Sequence, residues 1–423
     1  MTVLSSLFLL MCIIAAESKI FQNPQEPPPK DVSIDRDIFP VWANITQRVD
    51  HFNPVDKRTR TMGQIFRRRH GPPPTDVPIG RASSPVWANI TQMVDHFNHA
   101  DKRTWSMRYI HNDECFKRGG PMVITLGGEW TISTADLMTG AVYDIACENG
   151  GYMFDTEHRY YGESQPMSDW TSENLKYLSA DQALADLAYF IKYQKKNNKD
   201  LQNSSVIVMG ASYSATLATW ARIKYPHLVD IAYASSGPLN SKVDLYEYYE
   251  VVGDSLALAS SSCVEVIRSA ISEIETLLET EEGIANASTL FKTCQPINVT
   301  EPSRSFFFNT VADTFAGLVQ YAYPGDIERG CFLVENTTGS NVEKVASYIR
   351  TQYSGDSCML SYSSFLDLYT PTNITSEMTR QWLYQICTEF GWFQTSTSNK
   401  QPFGNTFPLD FYIQLCKDLF GVE

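Results

Sequence analysis

Histidine is scarce in this chain and absent from the stretch after residue 227. The seven are His51, His70, His96, His99, His111, His158 and His227, and none follows His227. Chemistry that needs an imidazole must draw it from residues up to His227 or from elsewhere. Positive charge is in deficit as well: 34 Lys and Arg against 48 Asp and Glu leave a formal net charge of −14. Such a surface repels phosphate backbones and anionic membranes, which excludes nucleic acid as an expected partner. Long apolar runs are missing after the first residues, and the one from Leu7 to Ala16 is shorter than a bilayer requires, so no membrane span is expected. The cysteines do not fall in zinc-site spacings, and no metal or organic cofactor is implied.

What is present points to export. The run from Leu7 to Ala16 has the length of a signal-peptide core, with the small residues Ala15, Ala16 and Ser18 behind it. Residues 1–18 are read as a leader. Asn-x-Ser/Thr sequons stand at Asn44, Asn89, Asn203, Asn286, Asn298, Asn336 and Asn373, the pattern of a glycoprotein. With Cys12 inside the leader, eight cysteines remain: Cys115, Cys147, Cys263, Cys294, Cys331, Cys358, Cys387 and Cys416. An even count in an oxidising compartment predicts four disulfides, although the spacings leave their pairing open. The expected location is secreted or lysosomal and vesicular.

A length of 423 residues suggests two domains, or one with a large insertion. A segment beginning Pro40-Val41-Trp42-Ala43-Asn44 returns almost unchanged at Pro85-Val86-Trp87-Ala88-Asn89. Two copies are too few for a solenoid. The second runs into the alternating stretch 105–110, so it is expected to be the copy built into the fold. Residues 71–84, with Pro72, Pro73, Pro74 and Gly80 behind Arg67-Arg68-Arg69, read as a linker.

From Pro121 the pattern changes. Short apolar runs at 122–126, 151–154, 205–209 and 231–235 alternate with helical periodicity at 180–192 and 214–225. That order predicts an α/β fold with a mostly parallel sheet covered on both faces. Beyond about residue 240 the strands fade. Val264, Ile267, Ile271, Ile274 and Leu278 trace an amphipathic helix, and Phe315, Leu318 and Val319 suggest another. The predicted organisation is a leader (1–18), an extension with the duplicated segment (19–84), the first part of the core (85–240) and a helical insertion (241–423).

The sharpest chemical signal is Gly210-Ala211-Ser212-Tyr213-Ser214, set between an apolar strand and a helix. A nucleophilic serine on a tight strand-to-helix turn needs small neighbours two residues to either side, and Gly210 and Ser214 qualify. The N–H of Tyr213, at the helix start, would be one oxyanion donor. Gly127 and Gly128 end an earlier strand, where the second donor is expected. Glu129 reads either as a receptor for a substrate amine or as a helix-starting carboxylate.

Beyond the turn, Glu157-His158-Arg159-Tyr160-Tyr161-Gly162-Glu163-Ser164-Gln165-Pro166 resembles a signature of the serine carboxypeptidase S28 family. Asp95-His96-Phe97, Gly127-Gly128-Glu129, the stretches 178–186 and 220–228, and Cys387-Thr388-Glu389-Phe390-Gly391 match in the same order. The stretch 218–254 and residues 416–421 look most like the thymus-specific branch. The resemblance implies an α/β-hydrolase core interrupted by a helical, disulfide-bonded domain that roofs the active site. It also implies exopeptidase chemistry on peptide substrates, often proline-containing, and leaves a homodimer open. By the same analogy Cys263 pairs with Cys331, Cys294 with Cys358, Cys387 with Cys416 and Cys115 with Cys147.

Two departures bear on function. The small residues after Ser212-Tyr213, glycines in the family, are Ser214 and Ala215 here. The family's acid lies in an Asn-Gly…Asp-Pro-Trp segment and its base in a later histidine, and neither is found. The expectation is therefore a truncated product of an active serine peptidase, lacking its last core strands and probing as inactive. A secreted, non-catalytic peptide-binding glycoprotein is the second expectation.

Overall fold

The computed structural model describes residues 46–48, 59–61 and 85–422, apart from 354 and 356. The leader, the residues read as a linker and Asn44 lie outside them. The chain divides into two units, Gln22–Ala82 and Ser83–Glu423 with Met1–Phe21. In the smaller, β1 (Thr46–Arg48) and β2 (Thr59–Thr61) pair antiparallel.

The larger unit is built on a six-stranded sheet. Its strands are β3 (Val86–Met93), β4 (Thr104–Asn112), β5 (Met122–Leu126), β6 (Tyr152–Thr156), β7 (Val206–Ala211) and β8 (Ile231–Ser235), in the order β3-β4-β6-β5-β7-β8. The four strands β6, β5, β7 and β8 run parallel, β4 pairs antiparallel with β6, and β3 pairs antiparallel with β4. The second copy of the duplicated segment is thus a strand of this sheet, Ile90 standing opposite Met107. Its neighbour β4 shows the two-residue alternation expected of a half-covered strand, with Trp105, Met107 and Tyr109 buried. The central strand β5 is apolar except for Thr125, as expected of a strand covered on both faces.

The helix Ala180–Asn197 buries the stripe Leu184, Leu187, Ala188 and Ile191, and Ser179 caps its start by accepting from Gln182 N–H. On the other side of the sheet, Ile110, Val123, Met153 and Met209 pack with Leu137 and Ala146. At the far edge, β8 pairs only with β7 among the described residues, and its Ile231 and Tyr233 are about half exposed.

After β8 the chain is mostly helical. Ser261–Leu277 buries Val264, Ile267, Ile271 and Ile274, and Ser303–Gln320 buries Phe306, Phe307, Phe308 and Phe315. Two short strands, β9 (Lys242–Asp244) and β10 (Gly391–Phe393), pair in parallel and tie the two ends of this region together. The disulfides are Cys115–Cys147, Cys263–Cys331, Cys294–Cys358 and Cys387–Cys416, the pairing that the family resemblance implies. Each closes a loop and so limits the unfolded chain. Among the described residues no helix is long and apolar enough to cross a membrane.

Candidate active site

Ser212 follows β7 and precedes the helix Tyr213–Lys224. Its backbone sits at φ 54° and ψ −131°, a conformation that a residue with a side chain rarely adopts. The surroundings enforce it. Ser212 N–H donates to Ser235 O at 3.0 Å, which pins the turn to β8. Gly210 must be glycine, since a Cβ there would lie 2.3 Å from Ser214 O. Ser214 closes the turn: its hydroxyl donates to Ala211 O at 2.9 Å and accepts from Ala211 N–H at 3.0 Å. That pair of bonds accounts for serine where the family pattern has glycine.

Tyr213 N–H belongs to the first turn of the helix, where backbone donors have no partner within the helix. Gly127 is corrected: its N–H donates to Thr156 O at 2.7 Å, so it is not available to an oxyanion. Of the two glycines only Gly128 remains as a candidate donor. Glu129 is wholly buried, and its charge acts on the Tyr161 and Tyr213 hydroxyls. It does not belong to the wall of the cavity that holds Ser212.

No described histidine bonds Ser212. His158 is nearest in the network, and its protons are accounted for. Gln385 Nε2 donates to Tyr213 Oη at 2.9 Å, so the tyrosine hydroxyl gives its own proton to His158 Nε2 at 3.1 Å. His158 Nδ1–H then donates to Arg159 O at 2.7 Å. The ring is neutral with both nitrogens engaged, consistent with burial pulling it down to about 4. Tyr161 Oη donates to Gln385 Oε1 at 2.6 Å and closes the chain of bonds. Elsewhere, His96 Nε2 bonds Asp186 at 2.7 Å and His111 Nδ1 bonds Tyr152 at 3.0 Å.

The signature segments thus converge on a scaffold beside the serine. Arg159 is fully buried and grips both oxygens of Asp186, at 2.7 and 2.9 Å, while donating to Val94 O and Tyr177 O. Burial opposes the charge on Asp186, yet Arg159 holds its carboxyl below the usual value. Gln182 joins the same knot to Asp95 and to His96 N–H. Glu157 pairs with Arg108 and accepts from Ser164, and a Cβ on Gly162 would lie 2.0 Å from its carboxylate.

Ser212 opens on a cavity of about 480 Å³, a volume suited to a short peptide end. Trp382 and Trp392 form a stacked aromatic wall, and Trp392 stacks in turn on Phe390, which also packs on the Tyr213 ring. The long helix Ser303–Gln320 contributes Asn309, Asp313 and Gln320, and Tyr412 lies beside them. Sequence reasoning missed these polar residues and Gln385. Asn309 and Asp313 carry a signal in hindsight: an amide and a carboxylate one turn apart in the buried stretch 305–316, whose other polar side chains are the hydroxyls of Ser305, Thr310 and Thr314.

The profile of the serine carboxypeptidase S28 family matches residues 92–423. The chain belongs to that family. A serine-protease relative from Caenorhabditis elegans is 34% identical over 337 residues, covering 74% of this chain and 66% of its own. The thymus-specific serine protease of Mus musculus is 32% identical, covering 75% and 66%. The lysosomal Pro-X carboxypeptidase of Mus musculus is 29% identical, covering 67% and 60%. The chain therefore spans about two thirds or less of the length of these S28 relatives.

Proposed function

We propose that this chain carries the nucleophile half of a serine-type exopeptidase site. Ser212 attacks the scissile carbonyl, and the N–H groups of Tyr213 and Gly128 hold the oxyanion. The observation that carries the reading is the strained turn at Ser212, opening on the 480 Å³ cavity. A serine hydroxyl is a weak nucleophile without an adjacent base. Since no described histidine bonds Ser212, the imidazole and its carboxylate are supplied by polypeptide that docks on the exposed β8 edge, next to Ser235. Substrates are short peptides, proline-containing ones included. The names of the relatives and the exposure of all six described sequon asparagines support a secreted or lysosomal glycoprotein.

The test is product analysis by mass spectrometry after incubation of the chain with short peptides. Slow loss of units from one end, abolished by Ser212→Ala, is expected. Cleavage at internal bonds, or trimming that survives the substitution, would overturn the reading. A non-catalytic peptide-binding role is the second reading, favoured by the engaged state of His158, and peptide binding without any turnover would select it.

A further inference from the structure

The cavity beside Ser212 holds a polar cluster that peptide-bond hydrolysis does not require. Asn309 and Asp313 are 1% and 4% exposed, and both line the cavity. Tyr249 donates its hydroxyl to Asp313 Oδ1, and Asn309 Nδ2 donates to Tyr412 Oη at 3.1 Å and to Asp313 Oδ1 at 3.4 Å. Tyr412 gives its own proton to Gln394 O at 2.7 Å. These neighbours fix the Asn309 amide, because its Nδ2 faces acceptors. Its Oδ1 is then a buried acceptor with no hydrogen-bond partner. Such an atom carries a desolvation cost unless a donor arrives.

The charge of the cavity says which donor. No lysine, arginine or histidine lines it among the described residues. A peptide's terminal carboxylate would enter with no cation to meet it and Asp313 nearby. An ammonium finds the free Asn309 oxygen, the Asp313 carboxyl, and the faces of Trp382, Trp392 and Tyr248. Burial pushes the Asp313 carboxyl up to about 8, so it is protonated in the empty cavity at neutral pH. A cation beside it favours the ionised form, with the proton released to solvent.

We propose that Asn309 and Asp313 form an ammonium-recognising subsite of the Ser212 cavity, selecting peptides that present a primary amine there. The inference rests on the peptidase reading of that cavity and names the substrate end it takes. The amine has two sources, the α-amino group and a lysine side chain.

Calorimetric titration of the full chain decides it, with three probes: alanyl-phenylalanine amide, its N-acetyl form, and N-acetyl-lysine amide. At least about tenfold tighter binding of one amine-bearing probe than of the acetylated dipeptide is expected. The tighter of the two amines identifies the source. Binding near neutral pH should also release a proton, seen as a heat that varies with the buffer's ionisation enthalpy, a readout that needs no variant. Asp313→Asn, checked for folding by circular dichroism, should remove both the preference and the proton release. Equal affinities, or amine binding with no proton release, would overturn the proposal. Ser212-dependent trimming without amine preference would sink the subsite alone; amine preference without trimming would sink the peptidase reading alone.

Discussion

The Tyr213 hydroxyl lies 3.1 Å from His158 Nε2, while the Tyr213 backbone directly follows Ser212. In the proposed site one residue thus serves twice, its backbone N–H facing the oxyanion and its side chain occupying His158. Tyr213→Phe would strand His158 Nε2 and the Gln385 amide in a buried setting. A loss of about 1–3 kcal/mol in urea unfolding is expected. An unchanged midpoint would mean that these bonds do not hold the elbow.

The turn itself tolerates little. Gly210→Ala would place a methyl 2.3 Å from Ser214 O, so backbone must shift. Marked destabilisation and loss of Ser212 reactivity are expected together, measured by thermal melting and probe labelling. Ser214→Ala removes only the two bonds to Ala211 and should cost about 1 kcal/mol.

The buried Arg159–Asp186 ion pair should be costly to break. Asp186→Asn leaves the Arg159 guanidinium, fully buried, without its counter-charge. Removing one partner of such a pair costs roughly 3–5 kcal/mol. Denaturant unfolding of the variant checks this, and a cost near zero would show that the guanidinium is compensated by its carbonyl partners.

Asp313 gives a pH signature. Burial raises its carboxyl from 3.8 to about 8. The groups that face it are the Tyr249 and Tyr412 hydroxyls and the Asn309 amide, none of them cationic. The folded state keeps a proton that the unfolded state gives up between those values. Its stabilising effect is therefore complete below pH 3.8, is lost as pH rises toward about 8, and is flat above. Asp313→Asn does not titrate, so its melting temperature should gain on that of the wild type between about pH 5 and pH 8. A constant difference across that range would contradict the raised carboxyl.

The sequons make a simpler prediction. Asn298 already forms the turn in which Thr300 Oγ1 and N–H donate to its side chain, at 2.8 and 3.0 Å, and it is exposed. Protein from a secretory host should lose mass on endoglycosidase treatment, and peptide mapping should find Asn298 among the modified sites. An unmodified Asn298 would contradict that.

Much of the core was legible because its signals are local. Gly210 and Ser212 announce the elbow through steric need, and β8 occupies the span that the apolar run 231–235 predicted. The disulfide pairing was not local: spacing left it open, and family resemblance supplied it. The cavity was not legible for the same reason. Asn309 sits in a run that reads as core, Gln385 carries no pattern, and β9 pairs with β10 across the whole intervening helical region, far apart in sequence. Gly127 misled because a glycine ending a strand looks alike whether its N–H is free or bonded to Thr156.

The most direct test is labelling with a fluorophosphonate, mapped by mass spectrometry, with and without added imidazole. The account predicts slow modification at Ser212 alone, faster when imidazole enters the cavity, and none in Ser212→Ala. Labelling that persists in the variant would contradict Ser212 as the nucleophile. Rapid labelling without imidazole would contradict the finding that no described histidine serves it.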